Sequence, residues 1–196
     1  SEDTPFPKRD SGEFDYDLSG PYLAFFDKVL DFARNLVAGD TTPDRQKRVH
    51  YWTALGLLRG VMSSPAAGVA MFRARRTKLG GEDLEDSVES PIDPIHDHPD
   101  GHESDLVPVE VVEHTGWSES QQRRMREFEK ELSALTGPAR DYKLEAARMI
   151  VEDWLDQGLH PVIFCRYIQT ALYLGEQLSP LLAKKFPKAN VQVVTS

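Results

Sequence analysis

The stretch that decides the predicted fold is "HPVIFCRYIQTALYLGEQLSPLLAKKF" (residues 160–186), followed by "NVQVVTS" (residues 190–196). Its first apolar run is continuous, as in a strand that is covered on both faces. A second apolar run, "VQVV", lies near the end of the stretch. Between them, apolar residues and a glycine recur at helical spacing (Ile168, Leu172, Gly175, Leu178 and Leu182). The pattern predicts a strand, a crossover helix and a second strand that is parallel to the first.

The rest of the chain is dominated by helix signals. Ser19 and Ser64 are predicted N-caps, Thr42-Pro43 is a third start, and Ser118 to Gln121 fits a capping box. A further helix is expected over about residues 140–157, before Gly158. The predicted fold class is therefore mostly α with a C-terminal α/β piece. Residues 1–79 form a connector and helical subdomain, and residues 117–196 hold helices and the truncated start of a parallel sheet.

Residues 80–116 differ from both of these parts. They contain twelve Asp or Glu, no Lys or Arg, and four prolines, a composition typical of a disordered linker. Three of their histidines lie close together in the sequence (His96, His98 and His102), but no framework fixes them, and no metal site is predicted. The remaining 159 residues carry 20 acidic and 23 basic side chains, so the net charge of −9 does not exclude a nucleic-acid partner.

The sequence argues against a membrane-spanning, secreted or disulfide-bonded protein. Of the 196 residues, 40% are hydrophobic and 28% are charged, as in a protein with a buried core. No apolar run approaches the roughly 20 residues that cross a bilayer, so no membrane partner is expected. The N-terminus lacks the regions of a signal peptide, and the single cysteine, Cys165, cannot form an internal disulfide. A cytoplasmic location is predicted.

One longer assembly, "DYKLEAARMIVEDWLDQGLHPVIFCRYIQTALYLGEQL" (residues 141–178), resembles a known family. It is similar to the opening of the second RecA-like domain of superfamily-two helicases, in particular the bacterial Swi/Snf-like group. In that family an Asp-x-Lys pair, here Asp141 and Lys143, starts a helix, and the strand called motif IV follows, here Val162 to Tyr167. Two earlier stretches are similar to the segments between the two motor lobes, "FPKRDSGEFDYDLSGPYLAFFDKVLDF" and "LGLLRGVMSSPAA".

The resemblance implies a contact with the nucleic-acid backbone at the ends of the two predicted strands. Ligands of open parallel sheets bind at the carboxyl ends of strands, and free N–H groups at a helix start attract phosphate. The family usually has a glycine near the last of the implied positions, so this sequence departs from the pattern there. The predicted nucleic-acid-binding residues are Arg166, Tyr167, Gln169, Thr195 and Ser196. Asp141 and Lys143 are assigned as a structural motif, in which Asp141 caps its helix.

The function expected from the resemblance is that of a fragment of an ATP-dependent nucleic-acid helicase or translocase, acting on DNA rather than RNA. The sequence has no G-x-x-x-x-G-K-[ST] loop, so ATP and Mg²⁺ are expected only for the full-length parent, and the chain alone should be inactive. The expected partners are DNA, the remaining motor domains, and a second copy bound through exposed strand edges. The alternative is a non-enzymatic helical adaptor or regulatory module.

Overall fold

A computed structural model of the chain describes residues 11–38, 44–77 and 117–195, with the side chains of 44–49 and 75–77 left aside. The six helices of this part are α1 (Gly20–Val37), α2 (Asp44–Ser63), α3 (Pro65–Thr77), α4 (Glu119–Ser133), α5 (Tyr142–Asp156) and α6 (Ile168–Lys185). Within these ranges no helix is long and apolar enough to cross a membrane. The predicted linker, 80–116, lies outside the described residues, and the division into domains stays a prediction.

Helix starts follow the predicted caps. Ser19 accepts a hydrogen bond from the backbone N–H of Tyr22 at the start of α1, and Ser64 accepts one from Ala67 at the start of α3. Ser118 and Gln121 form the predicted reciprocal capping box before α4. The predicted starts of these three helices are therefore confirmed, because each depends on side chains that are only three residues apart.

The first hydrophobic core lies between α1, α2, α3 and α4. Three phenylalanines are fully enclosed there: Phe25 from α1, Phe72 from α3 and Phe128 from α4. The Phe25 and Phe128 rings meet edge to face with centroids 5.7 Å apart, and Phe72 lies 5.6 Å from Phe128. These separations are in the favourable range for aromatic pairs. The core thus takes its side chains from both sides of the acidic segment.

Close packing in this core requires a glycine on α3. A Cβ atom added to Gly68 would lie 2.4 Å from Leu132 Cδ2 of α4 and 3.2 Å from Val61 Cα of α2. A methyl group here would require the end of the Leu132 side chain to move, and it would contact the α2 backbone more tightly than usual. Gly68 therefore sets how closely the three helices approach one another.

The second hydrophobic core is smaller and belongs to α5 and α6. Its buried members are Leu144, Val151, Tyr173, Leu178 and Leu182. Ala66 at the start of α3 packs against this cluster, and α3 and α6 are in contact. The two cores therefore meet where α3 begins.

The predicted α/β piece is wrong. No strand is present in the described ranges, and no backbone hydrogen bond there connects residues 161–165 with residues 191–195. Three apolar side chains of these segments face outward, with Phe164 93%, Val194 88% and Val162 69% exposed. The described fold is helical, without a parallel sheet.

The physical reason for this error is that pairing is not a local property. A continuous apolar run is compatible with a strand, but a strand also needs a neighbour for its N–H and C=O groups. In the described part of the chain, residues 191–195 lie along α6 instead. A Cβ atom added to Gly175 of α6 would be 2.3 Å from Val193 Cγ2, and Val191 packs against the second core.

Candidate functional site

A polar cluster occupies the place where α2, α3, α5 and α6 approach one another. Asp141, which precedes α5, is only 5% exposed. Its Oδ1 accepts a hydrogen bond from the Leu144 N–H at 3.2 Å, and its Oδ2 accepts one from the Tyr173 hydroxyl at 3.1 Å. The prediction that Asp141 caps this helix is therefore confirmed, and the structure adds a bond to α6.

Burial dominates the ionisation of this pair. Desolvation raises the pKa of Asp141, although hydrogen bonds from Leu144 and Tyr173 and the charge of Lys143 oppose the rise. Burial, followed by the negative charge of Asp141, raises the pKa of Tyr173. Tyr173 therefore stays protonated and acts as a donor to the carboxylate. Its oxygen in turn accepts the Gly137 N–H at 3.1 Å.

Lys143 extends from the first turn of α5 to the last turn of α2. Its ammonium group donates to the carbonyl oxygens of Met62 at 2.9 Å and Ser63 at 3.2 Å, and it lies 5.8 Å from the ring centre of Tyr16. Burial lowers the pKa of Lys143, and the charge of Asp141 opposes that shift. The lysine is a half-buried cation held by backbone dipoles and an aromatic face.

Three hydroxyl groups connect this region to α6. Thr170 Oγ1 lies 2.7 Å from Ser63 Oγ and 2.9 Å from Ser64 Oγ. Thr170 has a single hydroxyl proton, so it can donate to only one serine and must accept from the other. These contacts fix the first turn of α6 against the junction of α2 and α3.

Three of the predicted nucleic-acid-binding residues lie together at the start of α6. Arg166 is exposed, Gln169 is partly exposed in the first turn, and Tyr167 occupies the N-cap position without a side-chain cap bond. The Tyr167 carbonyl accepts the N–H groups of Thr170 and Ala171. No backbone acceptor within the described ranges takes the N–H groups of Ile168 and Gln169. Among the described residues, these two amides have no backbone acceptor, and the exposed Arg166 precedes them directly in the chain.

The other two predicted residues do not join this group. Thr195 is exposed near the C-terminal end of the described chain, and no described hydrogen bond joins it to the start of α6. Ser196 lies outside the described residues. The assignment of all five residues to nucleic-acid binding stays a prediction.

Arg59 of α2 is a residue that the sequence analysis missed. Burial raises the pKa of the Tyr167 hydroxyl, while the positive charges of Arg166 and Arg59 oppose the rise. Arg59 lies one turn before Ser63, whose hydroxyl contacts Thr170 in the first turn of α6. The two arginines are 107 positions apart in the chain. No periodicity or motif could have paired them. The only signal was that "LLRG" belongs to one of the stretches that carry the family resemblance.

The described residues give little support for a metal site, a reactive thiol or a deep ligand pocket. The ranges 11–38, 44–77 and 117–195 contain no group of three His, Cys, Asp or Glu side chains that could hold a metal. Cys165 is a half-buried free thiol whose pKa burial raises, which disfavours the reactive thiolate. A shallow depression of about 330 Å³ lies between α1 and α4 and shares no lining residue with the polar cluster (Phe32, Asn35, Leu36, Ser120, Gln121 and Arg124).

Comparisons with known proteins assign no family to the chain. No family model matches the sequence, and neither a curated protein nor a solved structure matches it.

Proposed function

We propose that the chain is part of an ATP-dependent nucleic-acid translocase, to which it contributes a contact with the DNA backbone. The observation that carries the proposal is the grouping of Arg166, Tyr167 and Gln169 at the start of α6, with Arg59 one turn before the Ser63 that contacts Thr170. A phosphate group at this place would meet free backbone amides, the positive end of the helix dipole and a forked cation.

A second observation supports the link to the resembling family. The stretches that carry the resemblance converge on one polar cluster through Ser19, Ser63, Asp141, Lys143 and Thr170. Ser19 donates to the Arg140 carbonyl at 2.5 Å, next to Asp141, while Lys143 and Thr170 both bind at the end of α2. A cluster whose groups are all engaged in this way serves to hold helices in place.

In this proposal the chain supplies binding and no chemistry. Phosphoryl transfer requires a phosphate cradle, a bound Mg²⁺ and a transition-state cation, and the sequence has no phosphate loop. ATP and Mg²⁺ would therefore be bound by the remaining motor domains. DNA is the proposed nucleic acid.

A helical adaptor is the second candidate function. The observation that favours it is that all regular structure in the described ranges is helical and packs around two cores. An adaptor would recognise another protein through a helical surface. Replacing Arg166 would then leave nucleic-acid binding as weak and unspecific as it was before.

The proposal is tested by measuring the anisotropy of a labelled short DNA duplex at low salt with the Arg166→Ala variant. We expect roughly tenfold weaker binding, as for the loss of one charge-assisted hydrogen bond, and a salt dependence that is shallower by about one phosphate contact. Arg34→Ala is the matched control, because Arg34 is an exposed arginine on α1. Equal effects of the two substitutions would show that only net charge matters and would overturn the proposed site.

A further inference from the structure

The C-terminal end of α2 has an unusual source of hydrogen bonds. The last four carbonyl groups of a helix lack partners within the helix. In α2 the Gly60 carbonyl accepts the Ser64 N–H at 3.3 Å, and the Val61 carbonyl accepts the Tyr22 hydroxyl at 2.6 Å. The last two carbonyls accept the Lys143 ammonium. The end of α2 is therefore completed by side chains from α1 and α5.

Lys143 is suited to this position by its charge. The C-terminal end of a helix carries a partial negative charge, and a half-buried cation interacts with it more strongly than an exposed one. Loss of the ammonium would leave the Met62 and Ser63 carbonyls without these donors in a site that is largely shielded from water. The position of the last turn of α2 thus depends on a residue of α5.

The last turn of α2 also determines which α2 side chains lie near the start of α6. Ser63 binds Thr170 in the first turn of α6, and Arg59 lies one turn earlier on α2. Because Arg59 and Ser63 belong to the same helix, a shift of the end of α2 moves both. Such a shift would change the separation between Arg59 and the group formed by Arg166 and Tyr167.

We infer that Lys143 is a positioning residue, which holds the end of α2 against the start of α6 and so keeps Arg59 beside Arg166 and Tyr167. This inference rests on the proposed function, because it names the residue that sets the geometry of the same DNA-binding site. Lys143 does not touch DNA in this scheme. Its effect on DNA binding is exerted through the two arginines.

The test compares Lys143→Met with Lys143→Arg in the duplex-binding measurement, at a temperature at which circular dichroism shows both variants folded. We expect Lys143→Met to weaken binding roughly tenfold and to lower the salt dependence as Arg166→Ala does. Lys143→Arg keeps a cation at the two carbonyls and should bind DNA within about twofold of the unmodified chain.

A double substitution separates positioning from a general loss of stability. If Lys143 acts through Arg59, Lys143→Met should cause no further loss of affinity in the Arg59→Ala background, but should cause its full effect in the Arg34→Ala background. Full additivity with Arg59→Ala, or normal binding by Lys143→Met while Arg166→Ala is impaired, would overturn the positioning role and leave the proposed function intact. Absence of DNA binding by the unmodified chain would overturn both.

Discussion

Asp141 illustrates how one side chain can stabilise two helices. Its two carboxylate oxygens serve different helices: Oδ1 caps α5 and Oδ2 accepts the hydroxyl of Tyr173 from α6. The first contact is local, whereas the second spans 32 positions of the chain. Burial makes both contacts stronger, and it also makes ionisation of the carboxyl group less favourable.

The first residue-scale prediction concerns Asp141→Ala and Asp141→Asn. Alanine removes the cap and leaves the Tyr173 hydroxyl without its acceptor, so the free energy of unfolding should fall by about 1–3 kcal/mol. Asparagine keeps a capping oxygen and can donate its amide to Tyr173, so the loss should be smaller. Urea unfolding monitored by circular dichroism measures both. Equal losses for alanine and asparagine would contradict the capping role.

The direction of the Asp141 pKa shift is tested by comparing how the free energy of unfolding depends on pH in the unmodified chain and in Asp141→Asn. Since the folded-state pKa of Asp141 is raised, the carboxyl group favours folding most below its unfolded-state pKa, and this contribution is lost as pH rises through the folded-state pKa. Relative to Asp141→Asn, the unmodified chain should therefore become less stable as pH increases from about 3. Asp27→Asn, at an exposed position of α1, controls for the loss of a charge.

Helix packing at the element scale depends on small residues at crossing points. Gly68 of α3 lies so close to Leu132 of α4 and Val61 of α2 that an added Cβ atom would force one of them to move. Gly20, at the first position of α1, has open space around its missing Cβ atom. Both glycines lie within the first four residues of a helix, but their surroundings differ, so comparing them reports on tertiary packing.

The element-scale prediction compares Gly68→Ala with Gly20→Ala. Helix propensity alone would favour alanine by up to about 1 kcal/mol at a helical position. At Gly68 the added methyl group must push Leu132 or the α2 backbone away, so we expect the free energy of unfolding to fall by about 1–3 kcal/mol. Gly20→Ala should be neutral or stabilising. A stabilised Gly68→Ala protein in urea unfolding would refute the close approach of the three helices.

At the scale of the whole molecule, the most exposed apolar side chains lie in the two segments that flank α6. Phe164, Val162 and Val194 are largely in contact with water, and no described residue shields them. Large apolar side chains that remain exposed are typical of association sites when they form a patch. The two segments are not strand edges, so the proposed contact with a second copy would rest on their side chains.

The whole-molecule prediction is that the isolated chain associates with itself as its concentration rises. Phe164→Ser should shift this equilibrium toward the monomer, because it removes the most exposed aromatic ring near α6. Leu23→Ser, at a half-exposed position on α1, is the matched control and should have little effect. Sedimentation velocity at several concentrations measures the distribution. A monomer at every concentration would rule out this contact.

Local sequence by itself determined where the helices begin and end. The side chains of Ser19, Ser64, Ser118 and Asp141 each bond to a backbone group three residues away, and Gly158 adopts the positive φ of 76° that follows a helix. Short-range hydrogen bonds and backbone sterics depend only on residues that are close in sequence. The position of Arg166 and Tyr167 at a helix start could be predicted from the apolar residues that recur at helical spacing from Ile168.

Only the tertiary structure decided which elements meet. The two apolar runs around α6 were expected to pair as strands, but pairing depends on the partner that each backbone finds, and residues 191–195 lie along α6 instead. Likewise, the bonds from Lys143 to the end of α2 and from Thr170 to Ser63 join residues that are 80 or more positions apart. Such contacts arise from the packing of two cores, and no local pattern of side chains encodes them.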